Sequence, residues 1–262
     1  MILQQSQGLA WYTFASIPDG EVAHGAFTRH GGVSAAPFGP LNVGAHVGDN
    51  PQAVAENHRA LFRVLAWDEA QVVSARQVHG DAIAIVDEGH GGQTLPDTDA
   101  LITFAPGILL VLRFADCVPV FLVDPVRRAV GLAHAGWKGT VSEIAARTVE
   151  AMREAFGSQP SELVAGLGPA IGPCCFKVGD DVLAPLRQRY GPRAEALIHR
   201  QADGAEHVNL WLANRWQLQA CGVTQIETSQ ICTCCRRDEF PSHRGENGVT
   251  GRFPAVIGLR KR

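Results

Sequence analysis

Short apolar runs, each long enough for one β-strand, recur along the chain between glycine, proline and polar residues. Runs of about four to eight residues bounded by such breakers are typical of strands. The pattern therefore predicts a structure in which strands outnumber helices. The predicted strands cover residues 71–78, 81–88, 100–105, 107–114, 118–124, 127–134, 161–168, 225–232 and 253–260.

A smaller number of segments carry apolar residues at the spacing of a helix. Asn50 and Pro51 are residue types that begin helices, and this helix is predicted to run to about Leu65. The segment Thr140-Val-Ser-Glu143 matches a capping box, which predicts a helix that begins at Thr140. Further helices are predicted over residues 181–190 and 208–220.

The predicted helices are interleaved with the strands and do not form a separate block. This order is typical of an α/β protein, which we describe as a mixed α+β layered sandwich. Because no repeat, low-complexity tract or linker interrupts the chain, we expect one catalytic domain over residues 1–262.

Composition and charge narrow the class of protein. Hydrophobic residues make up 46% and charged residues 19%, which is typical of a globular protein. The formal net charge of −3 gives no support for a nucleic acid or an anionic membrane as partner. No basic segment followed by a long apolar one opens the chain, and no run approaches the roughly 20 apolar residues that cross a bilayer. We expect a cytoplasmic monomer or homodimer that acts on a small-molecule substrate.

The seven cysteines include the neighbours Cys174 and Cys175 and the group Cys232, Cys234 and Cys235. In a reducing compartment such residues are free thiols or metal ligands more often than disulfides. Cys232, Cys234, Cys235 and His243 form one candidate metal site. Adjacent thiols share a tetrahedral ion only with strain, which argues against it.

Three other candidate ligands share one local context, because each follows or ends an apolar strand. They are His79, Cys117 and His134. Histidine and cysteine are zinc ligands, and three protein ligands with an open fourth position are typical of a catalytic site. Each residue alone is also typical of a satisfied core histidine or a packed cysteine. Asp116, beside Cys117, either supports a ligand or bonds a turn amide, and strand alternation turns it away from Cys117.

Two kinds of segment suggest anion recognition. Lys138 lies in a bend just before the predicted helix start, where free amides and the positive end of the helix dipole attract an anion. Arg29 and Asn42 lie in a long glycine-rich loop, and Arg244 and Arg252 lie in a loop near the C-terminus. Planar arginine donors suit phosphate or carboxylate, although solvated surface residues give the same pattern.

Seven stretches, in order over nearly the whole chain, resemble the YfiH family, also described as laccase-domain or multicopper polyphenol oxidase-like proteins. They are TRHGGVS, NVGAHVGDNPQAVAENHRAL, QVHGD, ADCVPV, HAGWKGT, GPAIGPCCFKVG and SHRGENGVTGRF. The resemblance implies a single α/β domain of the YfiH type. It also implies one zinc ion per chain on His79, Cys117 and His134, with copper as the alternative metal.

The resemblance further implies phosphorolysis of adenosine, inosine and methylthioadenosine to base and ribose 1-phosphate, together with adenosine deaminase activity. On this interpretation His79, Cys117 and His134 are catalytic, and Arg29, Asn42, Lys138 and Arg244 bind substrate. Two positions depart from the family pattern: His58 stands where an arginine is usual, so that this arginine is either replaced or shifted to Arg59, and Gly245 stands where a second arginine usually follows Arg244. Both departures weaken the expected affinity for an anion.

Other functions remain open at this level. Cys117 with His134 or His79 as base would make an amidase that edits UDP-MurNAc peptidoglycan precursors. A copper-dependent polyphenol oxidase is disfavoured, since none of the ten histidines forms an H-x-H pair. The deaminase signature H-x-E with P-C-x-x-C is also absent. A zinc-binding protein without catalytic activity is the remaining alternative.

Overall fold

The computed structural model describes residues 1–17 and 20–261. Its α-helices are α1 (Pro51–Leu65), α2 (Trp137–Val141), α3 (Ile144–Phe156), α4 (Asp180–Tyr190) and α5 (Leu210–Ala220). Its strands are β1 (Ile2–Ser6), β2 (Leu9–Thr13), β3 (Val22–Phe27), β4 (Val72–Ala75), β5 (Ile83–Ile85), β6 (Thr94–Leu95), β7 (Ala100–Thr103), β8 (Leu109–Phe114), β9 (Val118–Asp124), β10 (Ala129–Ala135), β11 (Val164–Leu167), β12 (Ile198–Arg200), β13 (Glu206–Val208), β14 (Gln225–Thr228) and β15 (Phe253–Leu259).

The strands form two large mixed sheets. The first has the strand order β1-β2-β3-β15-β8-β4-β6, and the second has the order β14-β11-β9-β10-β7-β5. Most neighbouring pairs are antiparallel, but β4 runs parallel to β6 and β8, β5 to β7, and β11 to β14. A small sheet joins β12 and β13.

The two large sheets pack face to face between helices. Side chains of β8 and β15 meet those of β9 and β10 in one apolar core, with Phe114, Phe121 and Phe253 fully buried. On the outer face of the first sheet, α1 packs through Leu61 and Leu65. Helices α3, α4 and α5 cover the second sheet. This layered arrangement confirms the mixed α/β fold class.

The sequence-based helix bounds are correct at α1. The side chain of Asn50 accepts hydrogen bonds from the backbone N–H groups of residues 52 and 53, and Pro51 is the first helical residue. The predicted start at Thr140 is wrong. α2 already begins at Trp137, with Gly136 as its N-cap, and Glu143 at φ +61° separates it from α3. Thr140 instead accepts a hydrogen bond from the buried Asn214.

Strand register brings several segment ends to one edge of the second sheet. His134 pairs with Pro119 across β10 and β9, so Cys117 precedes β9 at the edge where β10 ends. Ala100 pairs with Ala133, which brings Asp99 beside His134. The backbone N–H of His134 donates to the Asp99 carbonyl at 2.8 Å.

Within the described part of the chain, no helix is long and apolar enough to span a membrane.

Candidate metal centre and active site

His79, Cys117 and His134 meet at this edge of the second sheet. Their ligand atoms all lie within 4.8 Å of one another, and the two imidazole rings are 4.8 Å apart between centroids at an angle of 74°. His134 is buried, Cys117 is half-buried and His79 is exposed. The three side chains therefore form one cluster that is open to solvent on the His79 side.

Asp99 orients the His134 ring and holds the backbone at His79. Its Oδ1 lies 2.8 Å from Nδ1 of His134, which leaves Nε2 of that ring free for the cluster. The same carboxylate accepts hydrogen bonds from the backbone N–H groups of Val78, His79 and Gly80 at 2.8–3.1 Å. These bonds hold the tight corner in which His79 takes φ +61°. A carboxylate behind a ligating histidine is the usual support of a metal site.

Asp99 was not among the residues identified from the sequence. It does have the same sequence context as the candidate ligands, because it directly precedes an apolar strand. Burial alone would raise the pKa of its carboxyl, but hydrogen bonds from His134 and Gly80 lower it below its usual value. The group is thus an ionised acceptor at neutral pH. An ionised carboxylate accepts a hydrogen bond from Nδ1–H of His134 and so keeps the proton on that nitrogen.

Cys117 and His134 shift each other's protonation. Burial would raise the pKa of the Cys117 thiol, but the charge and hydrogen bond of His134, with a smaller contribution from His79, lower it below its usual value. Burial would lower the pKa of His134, but the Cys117 sulfur and Asp99 raise it. The cluster therefore favours a thiolate, the form in which cysteine binds metals or acts as a nucleophile.

The cluster fits a zinc ion by donor type and spacing. Zinc bonds at about 2.0 Å to nitrogen and 2.3 Å to sulfur in tetrahedral geometry place two nitrogens and one sulfur roughly 3.3–3.5 Å apart, and here these atoms lie within 4.8 Å of one another. Gly136 adds to the fit, since a Cβ there would lie 3.0 Å from both the Cys117 Sγ and the His79 ring. Imidazole and thiolate also bind copper, so the residues define a candidate metal site without fixing the metal.

A cavity of about 510 Å³ opens over the cluster. One part of its wall is apolar or aromatic, and four arginines contribute positive charge. The apolar part comprises Val47, Trp137, Ile171, Phe176, Val182 and Leu210. The arginines are Arg76, Arg113, Arg244 and Arg252.

The four arginines differ in how many of their guanidinium N–H groups already donate to acceptors within the protein. Arg113 donates to Val43, Ala75 and Ser74 and supports the wall. Arg76 forms a surface ion pair with Asp97. In contrast, Arg252 donates from Nη1 to two backbone carbonyls, and Arg244 donates from Nη1 to the Lys177 carbonyl while lying 5.5 Å from the Phe176 ring centroid. One edge of each guanidinium in this second pair is held by the protein.

Asp116 holds the loop that carries Arg244. It is buried at φ +85°, outside strand geometry, and its Oδ1 accepts hydrogen bonds from the hydroxyls of Thr233 and Ser242 at 2.6 and 2.7 Å. Its Oδ2 accepts from the backbone N–H of Arg244 at 2.6 Å. The alternative in which Asp116 bonds a turn amide is thus the observed one.

The other predicted substrate contacts lie outside the residues that line this cavity. Arg29 donates to Glu246 and lines a separate surface depression. Lys138 is exposed, with its Nζ 5.6 Å from the Trp137 ring centroid. Asn42 is fully buried, and its Oδ1 accepts from the backbone N–H groups of Gly44 and Arg252. Their direct contact with substrate stays a prediction, and Asn42 positions the backbone of a cavity arginine.

The positions that depart from the family pattern lie in two places. His58 is bonded to the Val43 carbonyl at 3.2 Å, and it lines a small surface cavity together with Arg113. Gly245 packs against Arg237, Ser242 and Cys234, where a Cβ would lie 2.8 Å from the Arg237 side chain. An arginine at 245 would therefore require the Arg237 side chain to shift.

The second candidate metal site does not have the composition predicted from sequence. Cys232 and Cys235 gather with Cys174 and Cys175, whereas Cys234 and His243 are not part of that group. His243 is exposed and lines the cavity beside Arg244. The partners come from a loop about 60 residues earlier, which local spacing could not indicate.

Comparison with known proteins identifies the family. The model of the family described as multi-copper polyphenol oxidoreductase laccase matches residues 23–260. The purine nucleoside phosphorylase YlmD of Geobacillus stearothermophilus is 40% identical over 266 residues, which cover 98% of this chain and 97% of that protein. A purine nucleoside phosphorylase of Deinococcus radiodurans is 39% identical over 245 residues, covering 94% and 92%.

Solved structures agree with this result. The crystal structure of the hypothetical protein YfiH of Bacillus licheniformis matches with a TM-score of 0.92 at 37% identity, covering 98% of this chain and 99% of that one. The crystal structure of YlmD from Geobacillus stearothermophilus matches with a TM-score of 0.92 at 38% identity, covering 98% of both chains. The chain therefore belongs to the multi-copper polyphenol oxidoreductase laccase family, the laccase-like family that contains YfiH.

Proposed function

We propose that this protein is a zinc-dependent purine nucleoside phosphorylase that cleaves adenosine, inosine and methylthioadenosine. The observation that carries the proposal is the His79–Cys117–His134 cluster at a cavity with an aromatic wall and two partly engaged arginines. Relatives that cover nearly the whole chain bear the name purine nucleoside phosphorylase. All seven cysteines are free, which suits the reducing cytoplasm.

The cavity suits a nucleoside in size and in chemistry. Its volume of about 510 Å³ lies within the range of roughly 300–1,000 Å³ that is usual for small-molecule sites. Trp137 and Phe176 offer faces on which a planar base can stack, and neighbouring aliphatic side chains exclude water from it. The ribose would then lie between the base and the arginines.

Arg244 and Arg252 are the residues we assign to phosphate. Arg252 donates from Nη1 to two backbone carbonyls and Arg244 donates from Nη1 to one, so we assign the Nε and Nη2 groups of both residues to an oxyanion. Planar guanidinium donors match phosphate oxygens in pairs. Arg252 lines the same cavity as Cys117, His79 and His134. Asp116 positions Arg244 through its backbone N–H.

In phosphorolysis a phosphate oxygen forms a bond to the anomeric carbon while the bond from that carbon to the base nitrogen breaks. The base leaves with the electron pair and takes up a proton, and ribose 1-phosphate remains. Arg244 and Arg252 would hold the phosphate against the sugar, which removes much of the entropic barrier of a two-substrate reaction. A zinc ion on His79, Cys117 and His134 would supply a Lewis acid at this site.

Adenosine deaminase activity is a finer part of the same proposal. In this reaction water adds to the ring carbon and the exocyclic amine leaves as ammonia, and no phosphate is required. The metal site is the part of the cavity where such water chemistry fits. Phosphate recognition by the arginines would not contribute, so the two activities depend on different parts of one site.

A cysteine amidase is the second candidate, and one geometric observation favours it. The site contains the three parts of a cysteine hydrolase: Cys117 as nucleophile, His134 as base and Asp99 as the carboxylate that orients the base. His134 also lowers the pKa of the Cys117 thiol. Such an enzyme would cut an amide bond in a peptidoglycan precursor. Zinc separates the two functions, because a thiolate that ligates a metal is a poor nucleophile.

The test compares the candidate reactions on one preparation. The protein is incubated with inosine or adenosine, with and without phosphate, and ribose 1-phosphate is identified by mass spectrometry. Parallel reactions contain a UDP-MurNAc peptide or a phenolic substrate with copper. We expect base release that requires phosphate and yields one ribose 1-phosphate per base. Amide cleavage or phenol oxidation without phosphorolysis would overturn the proposal.

A further inference from the structure

Four cysteine sulfurs gather in a second cluster that shares no residue with the first. The Sγ atoms of Cys174, Cys175, Cys232 and Cys235 all lie within 4.8 Å of one another. Cys235 Sγ is 3.5 Å from that of Cys174 and 3.4 Å from that of Cys175. Cys232 is buried, whereas Cys174 and Cys235 are exposed. We call this group the four-cysteine cluster.

The loop before α4 explains how two adjacent cysteines can face the same point. The backbone N–H groups of Cys175 and Phe176 both donate to the Gly172 carbonyl at 2.9 Å, which closes a tight turn. The Gly172 N–H donates to Cys232 Sγ at 3.2 Å. Amide donors of this kind commonly accompany metal-bound sulfur. The turn thus reduces the strain expected when adjacent thiols bind one ion.

We propose that Cys174, Cys175, Cys232 and Cys235 form a second metal site, a structural site in which four thiolates hold one zinc ion. Four thiolates around one zinc at about 2.3 Å place neighbouring sulfurs roughly 3.8 Å apart, close to the separations found here. The set has no oxygen or imidazole donor, and a tetrahedral site of four sulfurs suits zinc. All four positions are filled by protein, as in structural sites and unlike the three-ligand cluster of the cavity.

A disulfide does not account for the same arrangement. Disulfide sulfurs lie about 2.05 Å apart and pair two residues only. Here Cys235 stands at nearly equal distance from two sulfurs, so one central ligand satisfies the set better than any pairing. A bound cation also removes the repulsion among thiolates that would otherwise oppose this packing.

The site would join two segments that form the wall of the cavity. The loop of Cys174 and Cys175 leads from Ile171 to Phe176, both in the cavity lining. The segment of Cys232 and Cys235 contains Thr233, whose hydroxyl donates to Asp116. Zinc would therefore link the loop next to Phe176 to the segment that contains Thr233. Thr233 holds Asp116, and Asp116 in turn holds the backbone of Arg244.

The test counts zinc in a background that lacks the first site. The parent is Cys117→Ser, so that remaining zinc reports the four-cysteine cluster alone. Cys174→Ser/Cys235→Ser is added in one variant and Cys221→Ser in a matched control, since Cys221 lies next to the end of α5 and outside the cluster. The proteins are purified under reducing conditions and their zinc is measured by elemental analysis. Cobalt is then added to the zinc-free parent and its absorption recorded.

We expect about one zinc per chain in the parent and in the control, and close to none in the variant without Cys174 and Cys235. Cobalt in the parent should give the thiolate-to-metal charge-transfer bands and intense visible bands of a tetrahedral sulfur site. The cobalt spectrum needs no substitution in the cluster, so it holds even if the double variant fails to fold. A zinc-free parent, unchanged zinc in the double variant, or a cobalt spectrum without thiolate bands would overturn the proposal. These outcomes leave the phosphorylase proposal untouched.

Discussion

The Asp99 carboxylate lies 2.8 Å from Nδ1 of His134, and it also accepts hydrogen bonds from the backbone of the corner that carries His79. One buried side chain thus orients the ring of one candidate ligand and holds the backbone of another. It connects the end of β10 to the loop after β4. The geometry of the site depends on this residue although it is not a ligand.

Asp99→Asn should weaken zinc binding without removing a ligand. Both oxygens of the Asp99 carboxylate accept hydrogen bonds, from three backbone N–H groups and from His134. An Asn amide has only one oxygen that can accept, so some of these hydrogen bonds are lost and the His79 corner and the His134 ring are held less firmly. Loss of such a supporting partner reduces metal affinity by about 10–100-fold. Competition with a chromophoric chelator measures the change. Asp97→Asn is the matched control, because Asp97 is exposed and pairs with Arg76 at the surface. Equal zinc affinity in both variants would contradict the assignment.

Arg244→Ala should raise the phosphate KM more than the nucleoside KM. Loss of one charge-assisted hydrogen bond of about 1.5–3 kcal/mol corresponds to roughly 10–100-fold in phosphate affinity. Steady-state kinetics with each substrate varied in turn separate the two constants. Arg237→Ala serves as control, since Arg237 is exposed in the preceding segment and donates to the Gly245 carbonyl. A parallel rise of both constants would show that Arg244 holds the nucleoside or the loop instead.

Arg29 tests the difference between direct contact and loop support. Its Nη1 donates to Glu246 at 3.0 Å and to the Arg237 carbonyl at 2.7 Å, and it is largely buried. Arg29→Ala leaves these acceptors without their donor, at a cost of about 1–3 kcal/mol in the free energy of unfolding. If these contacts only support the loop, the melting temperature falls and the phosphate KM is unchanged, whereas the substrate contact predicted from the sequence requires a raised KM. The exposed helix pair Arg59–Glu56 offers the control Arg59→Ala. A raised phosphate KM at an unchanged melting temperature would instead establish substrate contact.

His58 should make the protein less stable in mild acid. Burial and the neighbouring Arg113 lower its pKa from 6.5 to about 4. The unfolded chain therefore binds this proton first, so the free energy of unfolding falls as the pH drops from about 6.5 towards 4, by at most about 3–4 kcal/mol. Urea unfolding of wild type and His58→Gln at pH 7 and pH 5 measures the difference. The exposed His199→Gln is the control. An equal pH dependence in all three proteins would exclude His58 as the cause.

Much of the fold could be predicted because its signals are local. Asn50 and Pro51 begin α1 as their residue types require, and the apolar runs of β8, β9 and β10 are strands. β1 was not identified because it is mostly polar and exposed, and β2 and β3 were missed although they are largely buried. The helix start was misplaced because Thr140 and Glu143 match a capping box, whereas tertiary contacts to Asn214 and the left-handed backbone at Glu143 decide the outcome.

In the candidate site too, some residues could be identified from local sequence signals and others could not. His79, Cys117 and His134 could be identified because each adjoins an apolar strand, and strands bring such ends together at one sheet edge. The four-cysteine cluster could not, since it joins segments about 60 residues apart in the chain. The role of Asp99 depends on a hydrogen bond across two strands, which no single-strand pattern reveals.

Zinc removal and return tests the central claim most directly, namely that phosphorolysis depends on a metal held by His79, Cys117 and His134. Wild type, Cys117→Ser and Cys221→Ser are stripped with a chelator, zinc is restored stepwise, and ribose 1-phosphate formation from inosine and phosphate is followed. We expect that activity disappears on stripping and returns with zinc in wild type and Cys221→Ser, but not in Cys117→Ser. Phosphorolysis that persists without zinc, or that returns fully in Cys117→Ser, would contradict it.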